Sequence, residues 1–448
     1  MPSKTAIPSA TVPPESDVLV VGGGPAGSTA ATFLARRGWS VTLLEKDRHP
    51  RFHIGESLLP QNLPILKRLG VLEAIERIGV HKVGADFPAP GPAGYNVFRF
   101  ERALDPSCSH AYQVRRDEFD ALLFENAAAN GVQALQGQRV TSLEFAEDGL
   151  TVAGTSEAGQ PFRCRARYLV DATGRDTLVG NQLRIKRRSR RHQSAALFAH
   201  FRGVERRPGT DAGNISIYRF EHGWVWLIPL RDGVASVGAV CSPDYLKQRR
   251  TDRREFLLQT LRSIPQLWQR MERAELTGNL HATGNYSYAC NRMAGPRWIM
   301  AGDSYAFLDP IFSSGVYLAM HAAERAAGVV DGALRAPAAE RSLQRAYRRE
   351  VGRGLQTLSW FIVRFTSPAM RRLFAQPRND LRLEQAMISM LAGDVFRDNG
   401  VHWRLRVFKA IYFATALGGL PEQARSYLFR RRQARTAFVG GTTDQDAA

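Results

Sequence analysis

The turn Gly22-Gly-Gly24-Pro25-Ala26-Gly27 has the residue types and spacing to hold the pyrophosphate of a dinucleotide. Its glycines serve different needs. Gly22 permits a tight turn, Gly24 lets backbone approach a phosphate, and Gly27 lets a helix pack closely on a strand. The phosphate then sits at a helix N-terminus, where N–H groups and the dipole converge. Glu45, with Lys46 beside it, follows at about the 20-residue distance from which an acid accepts bonds from ribose hydroxyls. A second grouping lies in mid-chain. Trp224 and Trp226 are one residue apart, and in an extended segment both project from one side. Two indoles side by side make a wall, though nothing in them says what it separates.

The elements that must position these groups follow from pattern. Asp17-Val-Leu-Val-Val is an apolar, β-branched strand leading into the glycine turn, and Ala30, Ala31, Phe33 and Leu34 continue as a helix. A second strand, Val41-Thr-Leu-Leu44, ends at Glu45, which completes a Rossmann unit. Alternating stretches at 194–201 and 234–240 predict strands of another sheet. From 316 onward the periodicity is helical, over 316–330, 343–365 and 380–391. The fold class expected is α/β: a Rossmann-type domain with an inserted substrate-side sheet and a C-terminal helical region. Residues 1–16 read as a disordered lead and 17–315 as a discontinuous nucleotide domain. Insertions fall at about 76–110 and 180–290, and 316–448 forms a helical cap. Four scattered cysteines without ligand spacing give no metal site and suggest a reduced, cytoplasmic protein. No run of about 18 apolar residues predicts a membrane span.

Further segments, in chain order, resemble the flavoprotein hydroxylase superfamily built like para-hydroxybenzoate hydroxylase. Arg51-Phe-His-Ile-Gly55-Glu56-Ser57 is similar to the loop that lies against the flavin. Gln113-Val-Arg115-Arg116 resembles the segment whose arginine reaches the FAD chain, and Arg116 fits that role best. Tyr168-Leu-Val-Asp171-Ala-Thr-Gly174 resembles the second glycine turn, and Gly302-Asp303-Ser304 the turn whose aspartate binds the ribityl chain. The resemblance implies FAD as the dinucleotide.

Within that superfamily, Trp224-Val-Trp226-Leu-Ile228-Pro229 has the W-x-W-x-I-P form of the flavin-dependent halogenases. Phe307-Leu-Asp-Pro310-Ile-Phe-Ser313-Ser314-Gly315 matches their F-x-x-P-x-x-S-x-G pattern, with Pro310 placed against the flavin. Lys82 stands where that family places its catalytic lysine, some 25 residues after the Gly-Glu-Ser loop. The resemblance implies an enzyme that uses FADH2 and O2 to oxidise chloride or bromide to hypohalous acid. The halide would lie against amides near Ser313, Ser314 and Gly315, as anions do where successive N–H groups form a concavity. Lys82 would hydrogen-bond the hypohalous acid or become a haloamine, and the tryptophan wall would keep substrate from the flavin.

The resemblance also implies a separate flavin reductase, because no hydroxylase-type Asp-Gly segment and no second Rossmann fingerprint are found. No acid stands among Ile311, Phe312, Ser313 and Ser314, where tryptophan halogenases carry a glutamate. A phenol or pyrrole is therefore expected rather than free tryptophan. Net charge is +19, from 61 Lys+Arg against 42 Asp+Glu, with clusters at 184–191, 249–254 and 430–432. Such a charge would steer an acidic acyl or peptidyl carrier protein bearing the substrate. No nucleic-acid-binding motif accompanies it. The alternatives are an FAD-dependent aromatic monooxygenase, a geranylgeranyl-reductase-like oxidoreductase, or a non-enzymatic FAD-stabilised binding protein.

Overall fold

Strand Glu15–Val21 is paired in parallel on both sides, and its apolar part, Val18 to Val21, is buried on both faces as such a central strand requires. A computed structural model describes residues 11–89, 94–188, 194–284, 287–375, 379–397, 399–419, 425 and 427–428. Much of the expected lead thus lies outside the described residues, and Glu15 and Ser16 already belong to the first strand. The basic residues Arg190, Arg191, Arg430, Arg431 and Arg432 also lie outside them.

The parallel strands stand in the order Gln133–Leu135, Val41–Leu44, Glu15–Val21, Pro161–Asp171, Trp298–Met300. The chain reverses direction across the sheet between Glu15–Val21 and Pro161–Asp171, the switch point beside which doubly wound sheets bind ligands. The glycine turn emerges there, and helix Pro25–Ala35 follows it.

A second sheet runs Glu275–Thr283, Ala195–Arg202, Val234–Cys241, Gly223–Pro229, Ile215–Phe220, Gly84–Pro88, Tyr95–Arg99. Its neighbours are antiparallel except Ile215–Phe220 with Gly84–Pro88. The period of two sorts its side chains. Trp224, Trp226 and Ile228 face a core shared with the C-terminal helices, while Val225 and Leu227 face helices Arg253–Arg262 and Pro265–Met271. Those two helices lie inside the stretch expected to supply strands.

The helical region is not one cap beginning at 316. Helix Gly315–Arg335 packs on helix Pro25–Ala35, alanine against alanine (Ala322, Ala323, Ala326, Ala327 on Ala30, Ala31), and so belongs to the nucleotide layer. Helix Glu340–Arg364 bridges the layers. Its Tyr347 hydroxyl donates to the Met300 carbonyl at 2.7 Å, while Leu358, Phe361 and Ile362 join the tryptophan-side core. Helices Pro368–Ala375, Leu383–Leu391 and Val401–Leu417 complete that core; the first and last were not visible as periodic segments. No helix of the described residues is long and apolar enough to cross a membrane.

Candidate active site

The three glycines of the first turn are constrained unequally. Gly22 has φ 105°, and a Cβ there would lie 2.3 Å from the Ala172 carbonyl oxygen. A Cβ on Gly27 would lie 1.7 Å from the Gly22 oxygen. Gly24 differs, since its Cβ would meet only the Arg51 guanidinium, at 3.7 Å. Space is therefore kept over Gly24, at the start of helix Pro25–Ala35, which no side chain caps. Glu45 is buried and accepts from the N–H of Gly23 at 2.6 Å and of Asp47 at 2.9 Å. Its carboxylate thus fixes the glycine turn. Lys46 reaches away, to Asp176 at 2.7 Å.

The loop 51–62 joins the layers. Gly55, at φ 105°, brings backbone against Arg116: a Cβ there would lie 2.9 Å from Nη1. Arg116 is buried, held by Asp120 at 2.8 and 3.0 Å, and donates Nη1–H to the Ile54 carbonyl at 2.6 Å. On the far side of Gly55 lies Val316, 3.9 Å from that Cβ position. Glu56 and His200 of the second sheet pair at 2.7 Å. The other Glu56 oxygen, Oε2, is buried without a partner. Ser57 pairs with Gln113 in a short antiparallel bridge and turns its hydroxyl to Lys82.

Lys82 ends strand Val80–Lys82, which pairs with Ala111–Gln113 rather than with the large sheet. Its side chain is 1% exposed, and Nζ donates to Ser57 Oγ at 2.9 Å and to the Leu58 carbonyl at 3.0 Å. An ammonium has three N–H donors, so two acceptors leave one proton to offer. Phe100 covers it with its ring centroid at 5.3 Å. Burial pushes the amine down to about 7, against the opposing pull of Asp86. Asp86 is itself pushed up to about 6 by burial, although Asn214 and Arg207 bind it.

The lysine's depression gives stability a definite pH dependence. Between about 7 and an ordinary lysine value near 10.4, the unfolded chain binds the proton that the folded chain has released. Stability must rise with pH there by about 1.4 kcal/mol per unit from this group. Denaturant unfolding at pH 7, 8 and 9 should show that slope in the wild type and a flatter one in Lys82→Leu; parallel slopes would reject the buried amine.

Trp224 and Trp226 lie side by side on the second sheet, with ring centroids 5.7 Å apart and tilted by 50°. Trp226 donates Nε1–H to Ser236 Oγ at 3.1 Å. The wall is longer than two residues. Phe198 stands 5.7 Å from Trp226, His281 follows at 5.5 Å, and Phe52 of the 51–62 loop stacks on His281 at 3.9 Å. The alternating strand at 194–201 supplied Phe198, but no pattern marked Phe52 or His281.

Asp303 has no hydrogen-bond partner for its carboxylate among the described residues, and burial pushes it up to about 6 despite Arg175 and Arg116. Asp171 is placed differently from the expectation of a cofactor ligand. Its fully buried carboxylate accepts from Thr173 N–H, Thr173 Oγ1 and Val179 N–H, so it shapes the second turn and offers no oxygen outward. Pro310 opens a single helical turn whose preceding Asp309 is also buried, accepting from Ile311 N–H at 3.3 Å and Ser194 Oγ at 3.2 Å. Ser313 takes the left-handed region at φ 56°, and its N–H donates to the Pro310 carbonyl. Ser314 and Gly315 start the 21-residue helix Gly315–Arg335, where first-turn amides have no intrahelical acceptor. A Cβ on Gly315 would meet nothing within 4 Å, and Gly302, Asp303, Pro310, Ser314 and Gly315 line one cavity. Of the three expected halide residues, two therefore keep amides to offer.

FAD fits this set of residues. An uncapped helix start with room over Gly24, the buried Nε of Arg51, which makes no hydrogen bond, and the carboxylate of Asp303, which accepts none among the described residues, are what a pyrophosphate and a hydroxylated chain would satisfy. Arg51, which also approaches Asp120 at 3.3 Å and Glu45 at 3.6 Å, was not singled out from sequence. Among the described residues no cluster suited to a metal ion occurs.

A doubly wound sheet with this turn, crossed by an antiparallel sheet and a bridging helix, defines an FAD-binding flavoprotein, and the FAD binding domain family matches residues 15–356. The chain is 36% identical over 352 residues to Tryptophan 2-halogenase of Chondromyces crocatus, covering 75% of this chain and 66% of that protein. It is 35% identical over 358 residues to Flavin-dependent halogenase armH3 of Armillaria mellea, covering 73% and 69%. Over 403 residues it is 27% identical to 1H-pyrrole-2-carbonyl-[peptidyl-carrier protein] chlorinase of Pseudomonas fluorescens, covering 85% and 89%. A solved triple mutant of the flavin-dependent brominase Bmp2 superposes with a TM-score of 0.77 at 28% identity, covering 89% of this chain and all of that one. The chain belongs to the flavin-dependent halogenase family.

Proposed function

We propose that this enzyme halogenates an electron-rich aromatic ring with chloride or bromide, and that Lys82 delivers the halogen. Bound as FADH2, the cofactor supplies with O2 the oxidation of halide to hypohalous acid. Arg51, Arg116, Glu45 and Asp303 hold and orient it, with Gly24 leaving room for phosphate. The amides of Ser314 and Gly315 hold the halide at the helix start, beside Pro310. Trp224, Trp226 and Phe198 exclude the organic substrate from the flavin face, so only a small oxidant passes.

The observation that carries the reading is the buried amine of Lys82, held by Ser57 and Leu58 and pushed down to about 7. Near neutrality much of it is the free base, the form whose nitrogen lone pair can take halogen from hypohalous acid as the oxygen–halogen bond breaks and an amine proton leaves with the hydroxide as water. The haloamine route is therefore the favoured one. Bromination under saturating FADH2 should rise about tenfold per pH unit below about 7 and level off above it. A rate that instead falls above 7 would assign delivery to the ammonium.

The ring is a phenol, pyrrole or indole. The missing acid ahead of Gly315 spoke against free tryptophan, but likeness to a protein named Tryptophan 2-halogenase supports keeping indoles in the class. The substrate is free or tethered to an acidic carrier, the latter supported by the net charge of +19 and by the name of the pyrrole relative. A separate flavin reductase supplies FADH2. The test combines the protein, FAD, a flavin reductase with its nicotinamide, bromide, catalase and an electron-rich phenol, read by mass spectrometry. Brominated product is expected; hydroxylated product without bromine would overturn the reading in favour of a monooxygenase.

A further inference from the structure

The second sheet presents to its tryptophan face a cation without a counter-ion. Arg219 lies on strand Ile215–Phe220 directly opposite Trp224 of the next strand. Directly opposed residues of an antiparallel pair share a face. Its guanidinium sits over the Phe365 ring at 3.7 Å and 5.5 Å from that of Phe374. The Nε and Nη2 atoms are buried with no hydrogen-bond partner. Arg116 is paired with Asp120 and Arg207 with Asp86, and buried Arg270 bonds the Glu205 carbonyl and the hydroxyls of Ser216 and Tyr218, whereas among the described residues Arg219 has only aromatic rings against it.

Beside Arg219 a cavity of about 160 Å³ is lined by Phe87, Ile217, Ile264, Arg371 and Phe374. A cavity of about 150 Å³ suffices for a benzene ring. Arg371 adds a second cation, and burial together with its repulsion pushes Arg219 down to about 9. At neutral pH the guanidinium is still charged. A buried, uncompensated charge is strongly destabilising, and a bound anion offsets that cost. The planar fork of arginine matches a carboxylate with two parallel N–H···O bonds.

We propose that Arg219 and Arg371 form a subsite for the carboxylate of a free aromatic acid, whose ring occupies the cavity beside them. The subsite rests on the halogenase reading only in making that acid the substrate. A substrate held as a carrier thioester has no such carboxylate, although its phosphopantetheine arm carries a phosphate with the same oxyanion chemistry.

The test is calorimetric titration of the FAD-loaded protein with three probes: 4-hydroxyphenylacetate, its neutral analogue 4-ethylphenol, and pantetheine 4′-phosphate. The acid should bind about tenfold or more tighter than 4-ethylphenol, the difference that about 1.4 kcal/mol confers. Arg219→Met should remove that preference while leaving 4-ethylphenol binding unchanged, and Arg219→Lys should keep part of it. Methionine fills the same apolar space, and near-UV circular dichroism checks that the variant folds. Equal wild-type affinity for acid and neutral analogue would overturn the proposal, as would a preference that survives Arg219→Met. Tight binding of pantetheine 4′-phosphate alone, lost in Arg219→Met, would overturn the carboxylate assignment. Binding is read without turnover, so absent halogenation would defeat the reading of function and leave the subsite to stand or fall by these titrations.

Discussion

Lys82→Leu is expected to lower halogenation of an aromatic substrate by about 10²–10⁴-fold, on the order of what a single positioned catalytic side chain contributes. Oxidation of bromide should persist, because Lys82 bonds Ser57 and Leu58 and lies under Phe100, none of which lines the cavity at Gly302 to Gly315. The two activities separate in one experiment. Brominated phenol is measured by mass spectrometry, and hypobromous acid escaping to bulk is captured by monochlorodimedone. The wild type should give product and little capture; the variant should give capture and little product. Loss of both would mean that Lys82 serves halide oxidation or cofactor binding, and retention of both would remove it from the mechanism. Stability does not confound the comparison. Leucine removes a buried amine whose charged form is disfavoured, so the variant should be no less stable near pH 7.

The nucleotide half was legible because its constraints are local. Strand, turn, helix and acid follow within 31 residues from Glu15 to Glu45, each with its own periodicity or glycine. What could not be read depends on contacts across long separations. Phe52 stacks on His281, Glu56 pairs with His200, and Ser57 holds Lys82, yet no spacing rule links those positions. The boundary expected at 316 failed for a related reason. Periodicity shows that Val316 to Val330 is helical and has an alanine-rich face, but not which partner that face packs on. The partner is the Rossmann helix Pro25–Ala35, whose own small residues allow close approach. Asp171 is the opposite case. Its place at a strand end before a glycine suggested a ligand, whereas the turn that follows consumes its oxygens. Arg219 was invisible because an arginine's isolation is a property of its surroundings.

Gly24→Ala and Gly27→Ala should differ in kind, although the sequence motif treats the two glycines alike. At Gly27 a methyl group would lie 1.7 Å from the Gly22 oxygen and 3.3 Å from Ala172 Cβ. Gly22 cannot retreat, since its backbone packs so closely on Ala172 that even a Cβ there would lie 2.3 Å from the Ala172 oxygen, and its N–H donates to the Leu44 carbonyl at 2.8 Å. The helix must therefore lift from the sheet, opening the core around Val20, Ala30 and Tyr168. A loss of several kcal/mol, about what severe overpacking brings, would exhaust much of a domain's stability. Insoluble protein or a sharply lowered Tm is expected, with or without FAD. At Gly24 the backbone is extended at φ −78°, which any residue adopts, and a methyl group would meet only Arg51 at 3.7 Å. Gly24→Ala should fold with an unchanged Tm in the FAD-free protein. Its methyl group would stand in the space kept for the pyrophosphate, so FAD affinity should fall about 10–100-fold, the equivalent of roughly 1.4–2.8 kcal/mol. Differential scanning fluorimetry and flavin-fluorescence titration read the two effects separately. A destabilised Gly24→Ala would mean that the turn is tight for the protein's own packing; a stable one that binds FAD normally would place the phosphates away from Gly24.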